Sequence, residues 1–141
     1  MKVTIELPDL KAISRNKTNG KYWDYNDCLQ EAEKWMKVYG KKHEYHFTNP
    51  VDVTILAYYD VRSRKKAADA PNIDDKILTD TLNRYKPSRS LGRIERDVYF
   101  IEDDNPEYLR YVTKRSIPSD HYKVVMILEE VEEDSVTEAV A

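Results

Sequence analysis

Two different hydrophobic periods run through this chain of 141 residues, and together they limit what it can fold into. Between Tyr25 and Tyr39 the apolar positions Cys28, Ala32, Trp35, Met36 and Tyr39 recur at helical spacing, with Asp24 placed to cap the start and Gly40 to end the helix. In "VDVTILAYY", Val51, Val53, Ile55 and Ala57 share one face by alternation, and the β-branched and aromatic content suits a central strand. "KVTIEL" alternates on Val3 and Ile5 and closes at Pro8, while "DVYFI", "YLRYVTKR" and "YKVVMILEEV" add further β segments. A second helix is expected from about Asp74 to Tyr85, where Ile77, Leu78, Thr81, Leu82 and Tyr85 gather on one side; Pro87, Ser88 and Gly92 then interrupt the helical pattern. The fold class expected is α+β, a mixed β-sheet with two principal helices.

A chain of this length fits one domain, assigned to residues 1–130, followed by an acidic tail at 131–141 that is expected to be mobile. Cys28 is the only cysteine, which excludes an intramolecular disulfide and fits a reducing compartment. No apolar run is long enough to cross a bilayer, and "MKVTIELPDL" lacks the pattern of a signal peptide, so a cytoplasmic protein with no membrane partner is expected. The net charge of -3 conceals an asymmetry. Arg62, Arg64, Lys65 and Lys66 form one basic run, Arg84, Lys86, Arg89, Arg93 and Arg96 form another, and much of the negative charge sits toward the C-terminus from Glu129 to Glu138.

Acidic residues stand in two remote segments: Asp69, Asp74, Asp75 and Asp80 around Lys76, and the pair Asp103 and Asp104. Carboxylates held together repel, and a fold that gathers them commonly does so around a hard divalent cation. Lys76 and Asp80 share a helix face at the rim of the apolar stripe, whereas Asp74 projects toward the apolar side. Alternation after the strand turns Asp103 and Asp104 to opposite faces, so one of the two is expected to face the site. Ordinary structural roles compete with this reading: Asp69 as a turn residue, Asp74 as a helix cap, Lys76 and Asp80 as a surface ion pair, and "DDNP" as a turn. Other chemistry has little support. His43, His46 and His121 have no cysteines at zinc-site spacing, three glycines supply no phosphate loop, and "DDNPEYL" lacks the central glycine of a calcium loop.

"DAPNIDDKILTDTL" resembles the signature of the RusA-like Holliday junction resolvases, an Asp-x-Asp-Asn segment followed by Lys, Asp and Leu at helical spacing. "IEDDNPEY" is similar to the second acidic motif of that family, an Asp-Asp pair after a strand. The likeness extends to "VTIELP", "SRNKTNGKYWDY", "PVDVTILAYY", "VTKRS" and "YKVVMILEE", and so covers roughly the whole domain apart from the tail. It implies a homodimeric endodeoxyribonuclease that uses Mg²⁺, or Mn²⁺ in its place, to cut four-way DNA junctions by paired incisions in recombination and repair. Such proteins are often borne by phage or prophage.

Carried over residue by residue, Asp69 matches the first motif aspartate, Asn72 the asparagine, Lys76 the lysine, Asp80 the helix aspartate and Asp104 the second member of the acidic pair. The second motif aspartate falls on Pro71, which cannot ligate metal, so Asp74 or Asp75 is the expected replacement. The catalytic set implied is thus Asp69, Lys76, Asp80 and Asp104; the metal set is Asp69, Asp74, Asp75, Asp103 and Asp104, with Asp103 second choice to Asp104. DNA contacts are expected from Lys17, Lys21, Arg62, Arg64, Lys65, Lys66, Arg89, Arg93, Lys114 and Arg115, because basic groups neutralise phosphates. The departure at Pro71 defines the alternative: a catalytically impaired RusA-like protein that holds branched DNA without cutting it. A third reading is a small interaction protein whose acidic tail meets a basic partner.

Overall fold

The computed structural model describes residues 1–12, 22–62 and 73–131. They form an α+β fold with a mixed four-stranded sheet and two helices. In chain order the elements are β1 (Lys2–Pro8), α1 (Tyr22–Tyr39) with a 3-10 turn at Gly40–His43, β2 (Val51–Asp60), α2 (Asp75–Asp80), β3 (Tyr85–Ser88), β4 (Gly92–Glu95), β5 (Leu109–Ser119) and β6 (Lys123–Glu130). The sheet order is β1-β6-β2-β5; β6 runs antiparallel to β1 and β2, and β5 runs parallel to β2.

Alternation within each strand builds one apolar face, and the register lines those residues up in rows. Val3, Leu128 and Val53 form one row, Ile5, Met126 and Ile55 the next, and Leu7, Val124 and Ala57 the third. All nine are buried. The rows continue onto β5 as Val112, Lys114 and Ser116, so the apolar face turns polar at that edge. Helix α1 covers the face with Ala32 and Met36 fully buried and Tyr25, Cys28, Leu29, Trp35 and Tyr39 half-buried against the core. Trp35 and Tyr39, one turn apart, stack with ring centroids separated by 5.4 Å. The α-helix does end at Tyr39, but Gly40 does not supply the left-handed cap expected of it. It opens the 3-10 turn instead, and its missing side chain admits the Met36 thioether, since a Cβ there would lie 2.5 Å from Met36 Sδ.

Two expectations need correction. Helix α2 stops at Asp80 rather than continuing to Tyr85. Thr81 Oγ1 donates back to the Leu78 carbonyl at 2.6 Å, and beyond it the backbone pairs outside the helix: Arg84 N donates to Ile101 O at 3.0 Å, and Asn83 bridges Ile101 in parallel. Tyr85 then opens a β3–β4 hairpin that turns at Gly92, whose φ is 76°. "DVYFI" is likewise no regular strand. Phe100 N and Ile101 N both donate to Leu82 O, at 2.9 and 3.1 Å, and Phe47 N donates to Phe100 O at 2.8 Å. Backbone partners outside any ladder satisfy this segment while its apolar side chains fill the core.

At the C-terminus the described fold runs through Val131, which is buried and donates its N–H to Pro50 O at 2.8 Å. The tail beyond it lies outside the described residues. Among the described residues no helix is long and apolar enough to cross a membrane.

Candidate active site

The two acidic segments meet because their backbones are joined. Asn83 comes three residues after α2 and bridges Ile101, and three residues beyond Ile101 stands Asp104. This link brings Asp104 near enough for its carboxyl to act on that of Asp80, at the C-terminal end of α2. The Tyr25 hydroxyl on α1 donates a short hydrogen bond to Asp80 Oδ2 from 55 residues away, and the charges of Asp74 and Asp104 also act on Tyr25. Residues from α1, from both ends of α2 and from the loop before β5 therefore act on one another.

Asp103 and Asp104 take different partners, although no regular strand precedes them to impose alternation. Asp103 folds back into its own turn, Oδ1 accepting the Asp104 N–H at 2.9 Å and Oδ2 accepting from Asn105 Nδ2 at 3.2 Å. Asp104 is the member that faces Asp80. The turn continues as Asn105 accepts from the N–H groups of Glu107, Tyr108 and Leu109, which leads the chain into β5. At the other end of the site Asp74 occupies the N-cap position of α2 without making a side-chain cap bond, and only 8% of it is exposed. Asp75 points elsewhere, to Lys114 Nζ on β5 at 3.0 Å; the same ammonium donates to Ile73 O at 3.2 Å. Lys76 is exposed, and its positive charge acts on Asp80 across one helical turn.

Electrostatics around Asp80 reflect this crowding. Burial raises the pKa of Asp80 above the ordinary carboxylate value, and the neighbouring Asp104, by its charge and by hydrogen bonding, adds to the rise; the bond from Tyr25 and the charge of Lys76 oppose it. Burial first, then the bond to Asp80 and the three nearby carboxylates, raises the Tyr25 hydroxyl as well, so it remains a donor. A folded-state pKa raised above the unfolded one favours folding only while the group is protonated, and that contribution is lost as pH rises through the folded value. Asp80→Asn, whose amide oxygen still accepts from Tyr25, is therefore expected to stabilise the metal-free protein at pH 7. The gain should fade below about pH 4, where both states are protonated. Thermal melts of both proteins at the two pH values measure it, and an unchanged or lower Tm at pH 7 would show that Asp80 bears no unfavourable charge.

The fit to a hard cation rests on donor chemistry. Mg²⁺ is commonly held by one or two carboxylates together with water and substrate phosphate oxygens. Asp80 and Asp104 supply such a pair, and their mutual repulsion is the kind a cation relieves. Among the described residues no group of three or more Asp, Glu, His or Cys side chains is arranged to hold a metal ion. Asp69, Pro71 and Asn72 lie outside the described residues, as do Lys17, Lys21, Arg64, Lys65 and Lys66.

The remaining basic candidates are dispersed. Arg62 is exposed and forked onto Asp60, with Nε–Oδ1 at 3.0 Å and Nη2–Oδ2 at 3.2 Å. Arg89 and Arg93 are exposed on the hairpin, Arg93 lying 4.0 Å over the Tyr85 ring. Lys114 is only 16% exposed and engaged by Asp75, whereas Arg115 projects from the opposite face of the sheet and is exposed. Of the wider Arg84–Arg96 region, Arg84 meets Glu95 and Glu102, and Glu33 on α1 takes both Lys86 at 3.1 Å and Arg96 at 3.6 Å.

Tyr25 is the residue that sequence reasoning misses. In the sequence it is an apolar position opening a helix, and nothing local marks its hydroxyl as part of an acidic site on a distant segment. No family model and no curated protein matches the chain.

Proposed function

We propose that the protein is a Mg²⁺-dependent, structure-specific endodeoxyribonuclease that acts on four-way DNA junctions as a homodimer in the cytoplasm. The observation that carries this reading is the approach of Asp80 and Asp104, from remote parts of the chain, with the charges of Asp74 and Lys76 acting on the same group of residues. Asp80 and Asp104 would hold the cation, with Asp74 as a further carboxylate nearby. When bound, a divalent ion neutralises the scissile phosphate and lowers the pKa of a coordinated water. The chain's own groups divide the remaining work. The Lys76 ammonium, exposed at the surface, offsets charge that builds on the phosphate oxygens. Exposed Arg89 and Arg93 on the hairpin offer phosphate contacts, and a two-fold dimer would set equivalent sites against equivalent strands of a junction.

The test is incubation of the purified protein with a synthetic four-way junction, with and without Mg²⁺. Paired nicks are expected only with the ion, and Lys76→Ala, an exposed change that leaves the fold intact, is expected to slow cleavage by roughly 100-fold. Full activity in that variant would remove Lys76 from the assignment. A retarded junction band without nicked product would favour the binding protein without cleavage, and no junction affinity at low salt would exclude both.

A further inference from the structure

Tyr25 has a ring and a hydroxyl that serve different ends. The ring rests half-buried against the core from the first turns of α1, a place that phenylalanine would fill equally well. The hydroxyl reaches past the core to Asp80 Oδ2. Packing therefore explains the ring and not the oxygen. A carboxylate with one oxygen fixed by a donor cannot rotate freely, and the donor to an ionised acceptor makes one of the stronger kinds of hydrogen bond. Asp104 lies near enough to act on the same carboxyl.

The support behind Tyr25 is stiff. Helix α1 spans 18 residues, buries Ala32 and Met36 in the core, and is tied through Glu33 to Lys86 and Arg96 at the base of the hairpin. Arg96, with 9% of its side chain exposed, is itself held by the carbonyls of Asn83 at 3.0 Å and Tyr85 at 3.3 Å. Helix α1 and the chain just after α2 are thus tied to each other beyond Asp80. A hydroxyl mounted on such a frame fixes its acceptor more tightly than one on a loop.

We infer that Tyr25 is a positioning residue for a divalent cation: its hydroxyl orients Asp80, which together with Asp104 would hold the ion. This rests on the proposed nuclease activity and adds to it a residue outside the acidic motifs. Partners of this kind, which touch a ligand side chain rather than the metal, typically change metal affinity by about 10–100-fold when removed.

The experiment titrates Mn²⁺ alone into wild-type protein and Tyr25→Phe by calorimetry, without DNA, and pairs this with junction cleavage. Tyr25→Phe is expected to keep its helical signal and its KM for the junction while Mn²⁺ affinity falls about 10–100-fold and kcat at limiting metal falls in parallel. Placing p-aminophenylalanine at position 25, which restores a donor, should return Mn²⁺ affinity to near the wild-type value. Equal Mn²⁺ affinity in wild-type protein and a folded Tyr25→Phe overturns the role of Tyr25 and leaves the nuclease proposal standing. A wild-type protein that binds no Mn²⁺ and cuts no junction overturns both. Should Tyr25→Phe fail to fold, ¹³Cζ-tyrosine spectra of the wild-type protein decide: the Tyr25 signal is expected to shift on adding Mg²⁺, and an unmoved signal overturns the inference.

Discussion

Phe100→Ala is expected to remove about 3–5 kcal/mol of stability and to lower Tm by roughly 10–20 °C, as deletion of a buried aromatic ring does. Phe100 is fully buried, and its segment has no ladder of its own. Its N–H is given to Leu82 O and its carbonyl receives the Phe47 N–H, so the ring and two cross-chain bonds secure the approach to the acidic turn together. Against a total stability of about 5–15 kcal/mol for an ordinary domain, this loss endangers the fold itself. Leu91→Ala on the hairpin is the matched control. That side chain is 72% exposed, and its removal should change stability by no more than about 0.5 kcal/mol. Chemical denaturation of the two variants measures both, and a cost below about 1 kcal/mol for Phe100→Ala would show that the ring is not packed in the core.

Asp104→Asn is expected to reduce junction cleavage by roughly 10²- to 10³-fold while leaving the fold intact, since the amide matches the carboxylate in shape but lacks its charge. Removing the like charge beside Asp80 should leave stability equal or slightly higher, so a loss of activity cannot be ascribed to unfolding. Asp103→Asn separates site from turn. Its amide oxygen still accepts the Asp104 N–H, and cleavage should stay within about threefold of wild type. Single-turnover cleavage with circular dichroism on the same samples reads the two variants. The reverse pattern, an active Asp104→Asn and an inactive Asp103→Asn, would exchange their roles; two active variants would end the proposal of a carboxylate pair.

What is legible in the sequence divides along local and non-local lines. The core strands and α1 are visible because one face of each is buried, and burial enforces a period of 2 or 3.6. The class, a mixed sheet with two helices, comes from those elements. Periodicity carries α2 on to Tyr85, past its true end at Asp80, because Leu82 and Tyr85 continue its apolar stripe; nothing in the stripe reports that the backbone of 82–84 is taken by 100–101. The β3–β4 hairpin escapes notice for a related reason. Its residues are largely exposed and alternate weakly, and only its turn at Gly92 leaves a mark.

The site shows the same division. Preference for Asp104 over Asp103 is available from the resemblance. The separation of Asp75 from Asp74 is not, because it depends on Lys114 lying opposite Ile55 in the β2–β5 register. Linear proximity makes the basic runs look like patches. The charges of Arg84, Lys86 and Arg96 are met by Glu33, Glu95 and Glu102, which sequence distance hides.

Strand β5 ends the sheet and, among the described residues, pairs only with β2. A strand at the end of a sheet is a template on which another extended chain can grow. The strand carries its own deterrents. Arg110 and Arg115 would bring like charge against an incoming copy, and Pro118 lacks the N–H that continued pairing needs. These residues discourage edge-to-edge association whether or not the molecule ever meets a phosphate. Exchanging Arg115 and Pro118 for β-branched residues would leave a smooth edge open to filament growth.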